Sequence, residues 1–485
     1  MFYGLSKSRL MAFQQCPKRL WLYVHCHELQ EFSEETEQRF QIGFQVGDIA
    51  RSLHPDGILI EGENLVETLE LTRQALAEHP DRPLFEATFQ RDNVLVRADV
   101  LLPEAGGYRL CEVKASTKVK NEHYADCAIQ AWVIGGSVTV TGVELAHVDN
   151  TFVYPGSGNY QGLLKPEVLD ADLSPLLPLV PDWVAQARAV LAGTEPAITH
   201  GDQCSTPYDC PFQHYCTRDQ SQIEYPLHCL PYLQGERLQG LIDLGIEDVR
   251  HIPDDYALTE NQARVARVIK SGQAELDLAI QMIMSEFPYP RYYLDFETTQ
   301  VAVPIWPGTR PYQQLLLQWS CHVENAAYEL MRHAFLAQGF DDPRRAFAEK
   351  LINTLGDTGP VFVYNKAFEA TRLAELAALF PDLKAAIEAI IMRIVDLLPL
   401  TRQHYCHPDM KGSWSIKAVL PTIAPELTYD DLEIGDGSAA MGAWREIYHP
   451  DTADNRRAKL YADLADYCAL DTLALVRLAV FLGGA

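Results

Sequence analysis

What the 485-residue chain lacks narrows it at once. It has no run of about 18 apolar residues, so no membrane-crossing helix is predicted. Met1 to Gln15 interleaves Ser, Lys, Arg and Gln with its apolar positions and lacks the continuous apolar block of a secretory leader. These two absences predict a cytoplasmic protein. Positive charge is scarce: 40 Lys and Arg against 66 Asp and Glu leave a net charge of −26. That balance argues against a purely electrostatic grip on nucleic acid. It leaves room for an enzyme that holds nucleic acid in a local cleft and offsets its carboxylates with divalent cations. Eleven cysteines are too few for a disulfide scaffold of this length and point to a reducing compartment, so they are core thiols or metal ligands. There is no internal repeat and no low-complexity stretch.

What is present is ordinary globular material, 47% hydrophobic and 22% charged, long enough for about three domains or two large ones. Residues 1–60 are helical in pattern. Residues 84–154 alternate as strands do, with one helix inserted. Residues 155–235 are proline-rich and hold a tight cysteine group. Residues 236–288 read as short helices. A new strand opens at Tyr292 after the Pro288–Pro290 breaker and begins a second α/β region. The organisation expected is a first domain over 1–225, a helical linker over 226–288 and a last domain over 289–485.

Val94 to Leu102 reads as a strand, Glu104 to Gly107 as a turn and Tyr108 to Lys114 as the return strand. Alternation puts Glu112 and Lys114 on one face. Two carboxylates, Asp99 and Glu112, beside a lysine make poor stability elements. They suit a divalent cation held by oxygen ligands, with Lys114 polarising a water or a phosphate. Asp99 followed by Glu112-Val113-Lys114 resembles the core of PD-(D/E)XK nucleases. Ser6-Lys7-Ser8-Arg9-Leu10, Phe13 and Cys16-Pro17-Lys18-Arg19 resemble the N-terminal helix and cysteine of the RecB-like branch. Tyr124 to Gln130 resembles the helix that supplies that branch's catalytic Gln130, and Glu86 lies where the branch has a strand before the Asp. Members often carry a metal-binding His in an early helix. Gly43 to Asp48 has none, and Asp48 is the candidate substitute.

Cys204, Cys210 and Cys216 follow one another at intervals of six in a proline-containing loop, and Cys16 is the candidate fourth ligand. Four thiolates suit a [4Fe–4S] cluster. Structural zinc usually takes closer cysteine pairs, and zinc or unpaired buried thiols are the alternatives. The arrangement resembles iron–sulphur RecB-like nucleases, in which the cluster staples the two ends of the domain. The remaining cysteines, Cys468 among them, are assigned to packing.

In the last region, Tyr292 to Thr299 is an apolar strand bearing Asp295 and Glu297 on one face. Burying two like charges together requires a cation. Val361 to Tyr364 reads as a strand that leads through Asn365, an expected N-cap, into a helix bearing Glu369. Tyr467 and Asp471 share a helix face at i, i+4. Together these motifs resemble the DEDDy group of RNase H-like 3′–5′ exonucleases, with Glu369 where Asp is usual. Ser415 to Leu420 resembles a helical segment that group carries before its last motif. The resemblance implies two cations, Mg²⁺ or Mn²⁺, held by Asp295, Glu297, Glu369 and Asp471, with Tyr467 orienting the water. Asp396 and the run Tyr429 to Glu433 read as solvated surface.

Leu241 to Ile246 with Ile252-Pro253 resembles, loosely, a helix-hairpin-helix turn, and a plain helical linker is the alternative. Lys118, Lys120, Arg264, Arg267, Lys270, Lys366 and Arg372 are the candidate phosphate contacts. The whole chain resembles a bacterial family that fuses a RecB-like iron–sulphur nuclease module to an RNase H-like domain. The expectation is a nuclease with two catalytic modules acting on DNA with single-stranded ends. The rivals are an RNA-trimming exonuclease active only in its C-terminal half and a non-catalytic nucleic-acid-binding scaffold.

Overall fold

The computed structural model describes residues 4–218 and 223–484. It is a mixed α/β protein that divides into two compact units, Met1–Gln220 with Val301–Gln313, and Ser221–Gln300 with Gln314–Ala485.

The first unit is built on a seven-stranded sheet. Its central hairpin forms because Asp92 and Asn93 adopt positive φ values of 46° and 53°, which suits a tight primed turn. That turn joins Leu84–Arg91 to Val94–Glu104. Gly107–Lys114 returns antiparallel to Val94–Glu104 and then pairs parallel with Val140–Val148. The parallel pair needs a crossover, and the helix Asn121–Ile134 supplies it. Leu164–Val168 closes one edge, and Ile58–Leu59 lies beside Leu84 at the other. Leu10, Phe89, Ala98, Leu110, Ile129 and Leu145 are buried in one core under this sheet. Ala302 and Val303 pack with Val46, Val113 and Val148 in a smaller cluster, so Val301–Gln313 belongs to this unit.

The second unit has a five-stranded sheet with Arg291–Thr299 at its centre. Leu315–Glu324 and Leu330–Leu336 extend it antiparallel on one side; Val361–Val363 and Ile394–Asp396 extend it parallel on the other. The 30-residue helix Asp454–Gly483 packs against the central strand. Residues 226–288, expected as a separate linker, contribute Leu241, Val249, Ile252, Val265 and Ile269 to the same core as Tyr293, Phe362, Val419 and Leu478. Their apolar faces have no core of their own to enter, which is why they cluster with this sheet. The Leu241–Pro253 segment comprises the end of helix Gly235–Asp243, Gly245 at φ 70° and the short turn Val249–His251; Leu241, Val249 and Ile252 enter the core, while Ile242 and Leu244 are exposed. Among the described residues no helix is long and apolar enough to cross a membrane.

Candidate functional site

In the first unit, pairing of Val100 with Cys111 aligns Asp99 and Glu112 on adjacent strands. Asp99 Oδ2 accepts from the Val113 N–H at 2.8 Å. Glu112 is 1% exposed and is ringed by donors. Lys114 Nζ donates to its Oε1 at 2.5 Å, Lys7 Nζ to the same oxygen at 2.9 Å, and Gln130 Nε2 to its Oε2 at 2.5 Å. The four expected residues, Asp99, Glu112, Lys114 and Gln130, are thus together. Two further groups complete the set. Asp126 accepts from Lys114 Nζ at 2.7 Å and pairs with Lys7 Nζ at 3.1 Å, and Lys7 arrives from the first turn of helix Lys7–Gln15. Asp126 precedes Gln130 by one helical turn, so the i, i+4 rule could have found it.

Electrostatics divides these carboxylates. Burial and the neighbouring Glu112 push Asp99 up to about 7. Burial alone would raise Glu112 and Asp126 too, but the Lys114 and Lys7 ammoniums outweigh it and hold both below the usual carboxylate range. Glu86 adopts φ 55° inside its strand, a strained conformation for a side chain other than Gly or Asn. Burial raises its carboxyl, and Arg51 lies 3.6 Å away. Asp48, the candidate stand-in for a histidine ligand, is exposed and paired with that same Arg51.

The cysteines Cys16, Cys204, Cys210 and Cys216 also come together. Cys16 sits at the junction of helices Lys7–Gln15 and Pro17–His25. Gln15 Nε2 donates to the carbonyls of Gln203 at 2.7 Å and Tyr208 at 2.6 Å, tying that junction to the later loop. The Cys210 N–H donates to the Cys204 carbonyl at 2.7 Å. Burial raises the Cys210 and Cys216 thiols, and each also feels Cys16 and Cys204. Arg19 and Lys18 stand beside them and favour thiolates.

In the second unit, Asp295 and Glu297 lie on the central strand, Glu369 in the first turn of helix Lys366–Leu379, and Tyr467 and Asp471 on helix Asp454–Gly483. All five meet. Burial pushes Asp295 well above the usual carboxylate range, reinforced by Asp471, Glu297 and Glu369. Glu297 is raised by burial and by Asp471. Glu369 is 2% exposed, burial pushes it up to about 8, and its Oε2 has no hydrogen-bond partner. Asp471 is raised by burial against the opposing pull of Tyr429, Lys417 and Tyr467.

Several expectations for this region are corrected. Tyr429, read as surface, donates to Asp471 Oδ1 at 2.6 Å; its acidic neighbours Asp430, Asp431 and Glu433 are exposed as expected. Lys417 Nζ lies 5.2 Å from the Tyr429 ring centroid and 5.3 Å from that of Tyr467. Cys468, assigned to packing, has its sulfur 4.0 Å from Asp295 Oδ2. Asn365 makes no side-chain cap. Asp396 does that work from the neighbouring strand, accepting from the N–H groups of Asn365 at 3.0 Å and Lys366 at 2.9 Å. The candidate phosphate contacts are mostly committed elsewhere: Arg264 and Arg267 to Glu275, Lys270 to Asp254, Lys366 to the Ile394 carbonyl and Arg372 to Glu375. Lys118 and Lys120 are exposed.

Among the described residues, Asp295, Glu297 and Cys468 form the one set of three or more acidic, His or Cys side chains whose ligand atoms all lie within 4.8 Å of one another.

Two groups of buried carboxylates on α/β sheets, one neutralised by lysines and the other not, define the class of site. Comparison with known proteins adds the following. The family described as a domain of unknown function (DUF2779) matches residues 292–415, a stretch that holds Asp295, Glu297 and Glu369 and stops short of Lys417, Tyr429, Tyr467 and Asp471. The chain is 24% identical over 237 residues to the uncharacterized protein UU173 of Ureaplasma parvum, covering 44% of this chain and 34% of that protein. It is 25% identical over 212 residues to the uncharacterized MG366 homolog of Mycoplasma pneumoniae, covering 40% and 32%. The chain spans about a third of the length of these curated relatives.

Proposed function

We propose that the chain is a metal-dependent nuclease, a phosphodiester hydrolase with a PD-(D/E)XK-type module in the first unit and a DEDDy, RNase H-like exonuclease module in the second. One observation carries this reading. Glu297, Glu369 and Asp471 are buried and Asp295 is half-buried beside them; no lysine or arginine is bonded to any of their carboxylates among the described residues, Lys417 acts on Glu297 and Asp471 without bonding them, and Glu369 Oε2 is unpartnered. Four acids in that state either hold protons, as their raised carboxyls do without a cation, or share divalent cations that release those protons. Two such ions, Mg²⁺ or Mn²⁺, would supply an activated water and stabilise the leaving oxygen. Asp295, Glu297, Glu369 and Asp471 would hold them, and Tyr467 would orient the water. The sheet order and the central position of the Asp-x-Glu strand support an RNase H-like reading.

Cys16, Cys204, Cys210 and Cys216 would hold a [4Fe–4S] cluster that staples the ends of the first unit. Tetrahedral zinc, at about 2.3 Å from each sulfur, draws four thiolates to within about 4 Å of one another. No three of these sulfurs lie within 4.8 Å of one another, and that spread favours the larger cluster. Isolated protein is expected to be brown and to contain iron, and Cys210→Ser to lose both.

The test of function uses the full chain with Mg²⁺ or Mn²⁺ and end-labelled single-stranded DNA and RNA. Lys114→Ala and Asp295→Ala each remove part of the activity and the double variant nearly all. A double variant as active as the parent overturns the reading. A second reading, in which only the C-terminal site cuts and the substrate is RNA, is favoured by Lys7, whose ammonium already neutralises Glu112. It requires Lys114→Ala to be silent and Asp295→Ala to abolish cleavage.

A further inference from the structure

We propose that the carboxylate centre of the second unit is a mixed sulfur and oxygen site, in which Cys468 makes it a receptor for a thiophilic divalent cation of the zinc class. This rests on the reading of that centre as a cation site and replaces Mg²⁺ or Mn²⁺ by a zinc-class ion only at the position that Asp295, Glu297 and Cys468 share.

The geometry comes first. Asp295, Glu297 and Cys468 each offer a ligand atom, and all lie within 4.8 Å of one another. One ion bonded at about 2.1 Å to oxygen and about 2.3 Å to sulfur spans such a set. Cys468 is fully buried, so its sulfur has no competing solvent. It sits one residue after Tyr467 and one helical turn before Asp471, on the face that meets the central strand. Its S–H donates to Asp295 Oδ2 at 4.0 Å.

A second, independent observation points to a ligand. Glu369 is 2% exposed and its Oε2 is unpartnered. A buried carboxylate oxygen left without a donor is costly unless something cationic faces it.

The chemistry then selects the ion. Magnesium demands near-octahedral oxygen and keeps several waters. A thiolate is a soft ligand and favours zinc over magnesium. As the sulfur–metal bond forms, the S–H bond breaks and its proton leaves to solvent. If Cys468 were only a packing residue or an S–H donor to Asp295, the centre would be an all-oxygen magnesium site.

The two cases separate on the full-length chain. Calorimetric titration with Zn²⁺ and with Mg²⁺ is run on the parent, Cys468→Ser, Cys468→Ala and Asp295→Asn. The expected result is a loss of Zn²⁺ affinity of at least about tenfold in both Cys468 variants, with Mg²⁺ affinity unchanged. Cadmium NMR of the parent is expected to give a resonance in the mixed sulfur–oxygen range, apart from any four-sulfur signal, and Cys468→Ser to lose it. Unchanged Zn²⁺ affinity in both variants, or a parent spectrum with only all-oxygen and all-sulfur resonances, overturns the proposal. The parent spectrum decides the matter alone should the variants fold poorly. If Asp295→Asn keeps full affinity for both metals, the cation-site reading itself fails. If Asp295→Asn loses binding while the Cys468 variants keep it, only the role of the sulfur fails.

Discussion

Tyr429 reaches back across the acidic run that surrounds it in sequence and donates its hydroxyl to Asp471 Oδ1 at 2.6 Å. A phenol on a carboxylate oxygen fixes the orientation of that carboxylate, as groups behind metal ligands commonly do. Tyr429→Phe should therefore leave the fold intact and raise the concentration of Mn²⁺ needed for half-maximal turnover by about 10–100-fold. On the nuclease reading, in which Tyr467 orients the water, Tyr467→Phe should instead lower turnover at saturating metal. A metal titration of the two variants reads the difference, and identical profiles would remove the distinction.

Lys7 and Lys114 are held apart from each other by Glu112 and Asp126 in a four-membered charge group. Removing Asp126 leaves two half-buried ammoniums bonded to a single carboxylate. Asp126→Ala should destabilise the first unit by about 3–5 kcal/mol, and Asp126→Asn by less, because the amide still accepts a hydrogen bond. Denaturant unfolding of each variant checks the order. Equal stability of Asp126→Ala and parent would mean that the group does not act as a unit.

Asp396 bonds the N–H groups of Asn365, Lys366 and, at 3.0 Å, Leu398. It thereby caps the helix that carries Glu369 and the following helix Leu397–His404. Asp396→Ala should cost about 1–2 kcal/mol. Asn365 has φ 87° and makes no side-chain cap, so Asn365→Gly should change stability by only a few tenths of a kcal/mol. Equilibrium unfolding of the pair reports which residue starts the helix.

His322 is buried, and its Nδ1 shares a contact of 2.9 Å with the Thr472 hydroxyl, which also bonds Ser320. Burial, helped by Arg332, pushes its imidazole down to about 4. An unfolded histidine titrates near 6.5, so in that window the unfolded chain binds the proton and the folded chain does not. The stabilisation is full above about 6.5 and is lost as pH falls toward 4, to the extent of about 3 kcal/mol. In His322→Gln that loss between pH 6.5 and 4 should be smaller by this amount, read from denaturation midpoints against pH. A variant with the parent's slope would assign the acid sensitivity elsewhere.

Local pattern determined much of what this protein is. Period-two alternation put Glu112 with Lys114 and Asp295 with Glu297 on common strand faces, and helical spacing put Tyr467 with Asp471, because those relationships depend only on the geometry of one element. The two α/β regions were legible for the same reason. Tertiary structure alone decided that Lys7 joins Lys114 in neutralising Glu112, that Tyr429 and Cys468 join the second carboxylate group, and that Asp396 rather than Asn365 caps the Glu369 helix. It also committed most of the expected phosphate contacts to internal ion pairs. All of these but the Arg372–Glu375 pair, which is i, i+3 on one helix, join groups far apart in the sequence, and a charged or hydroxyl group chooses its partner by which opposite group burial brings within about 3 Å.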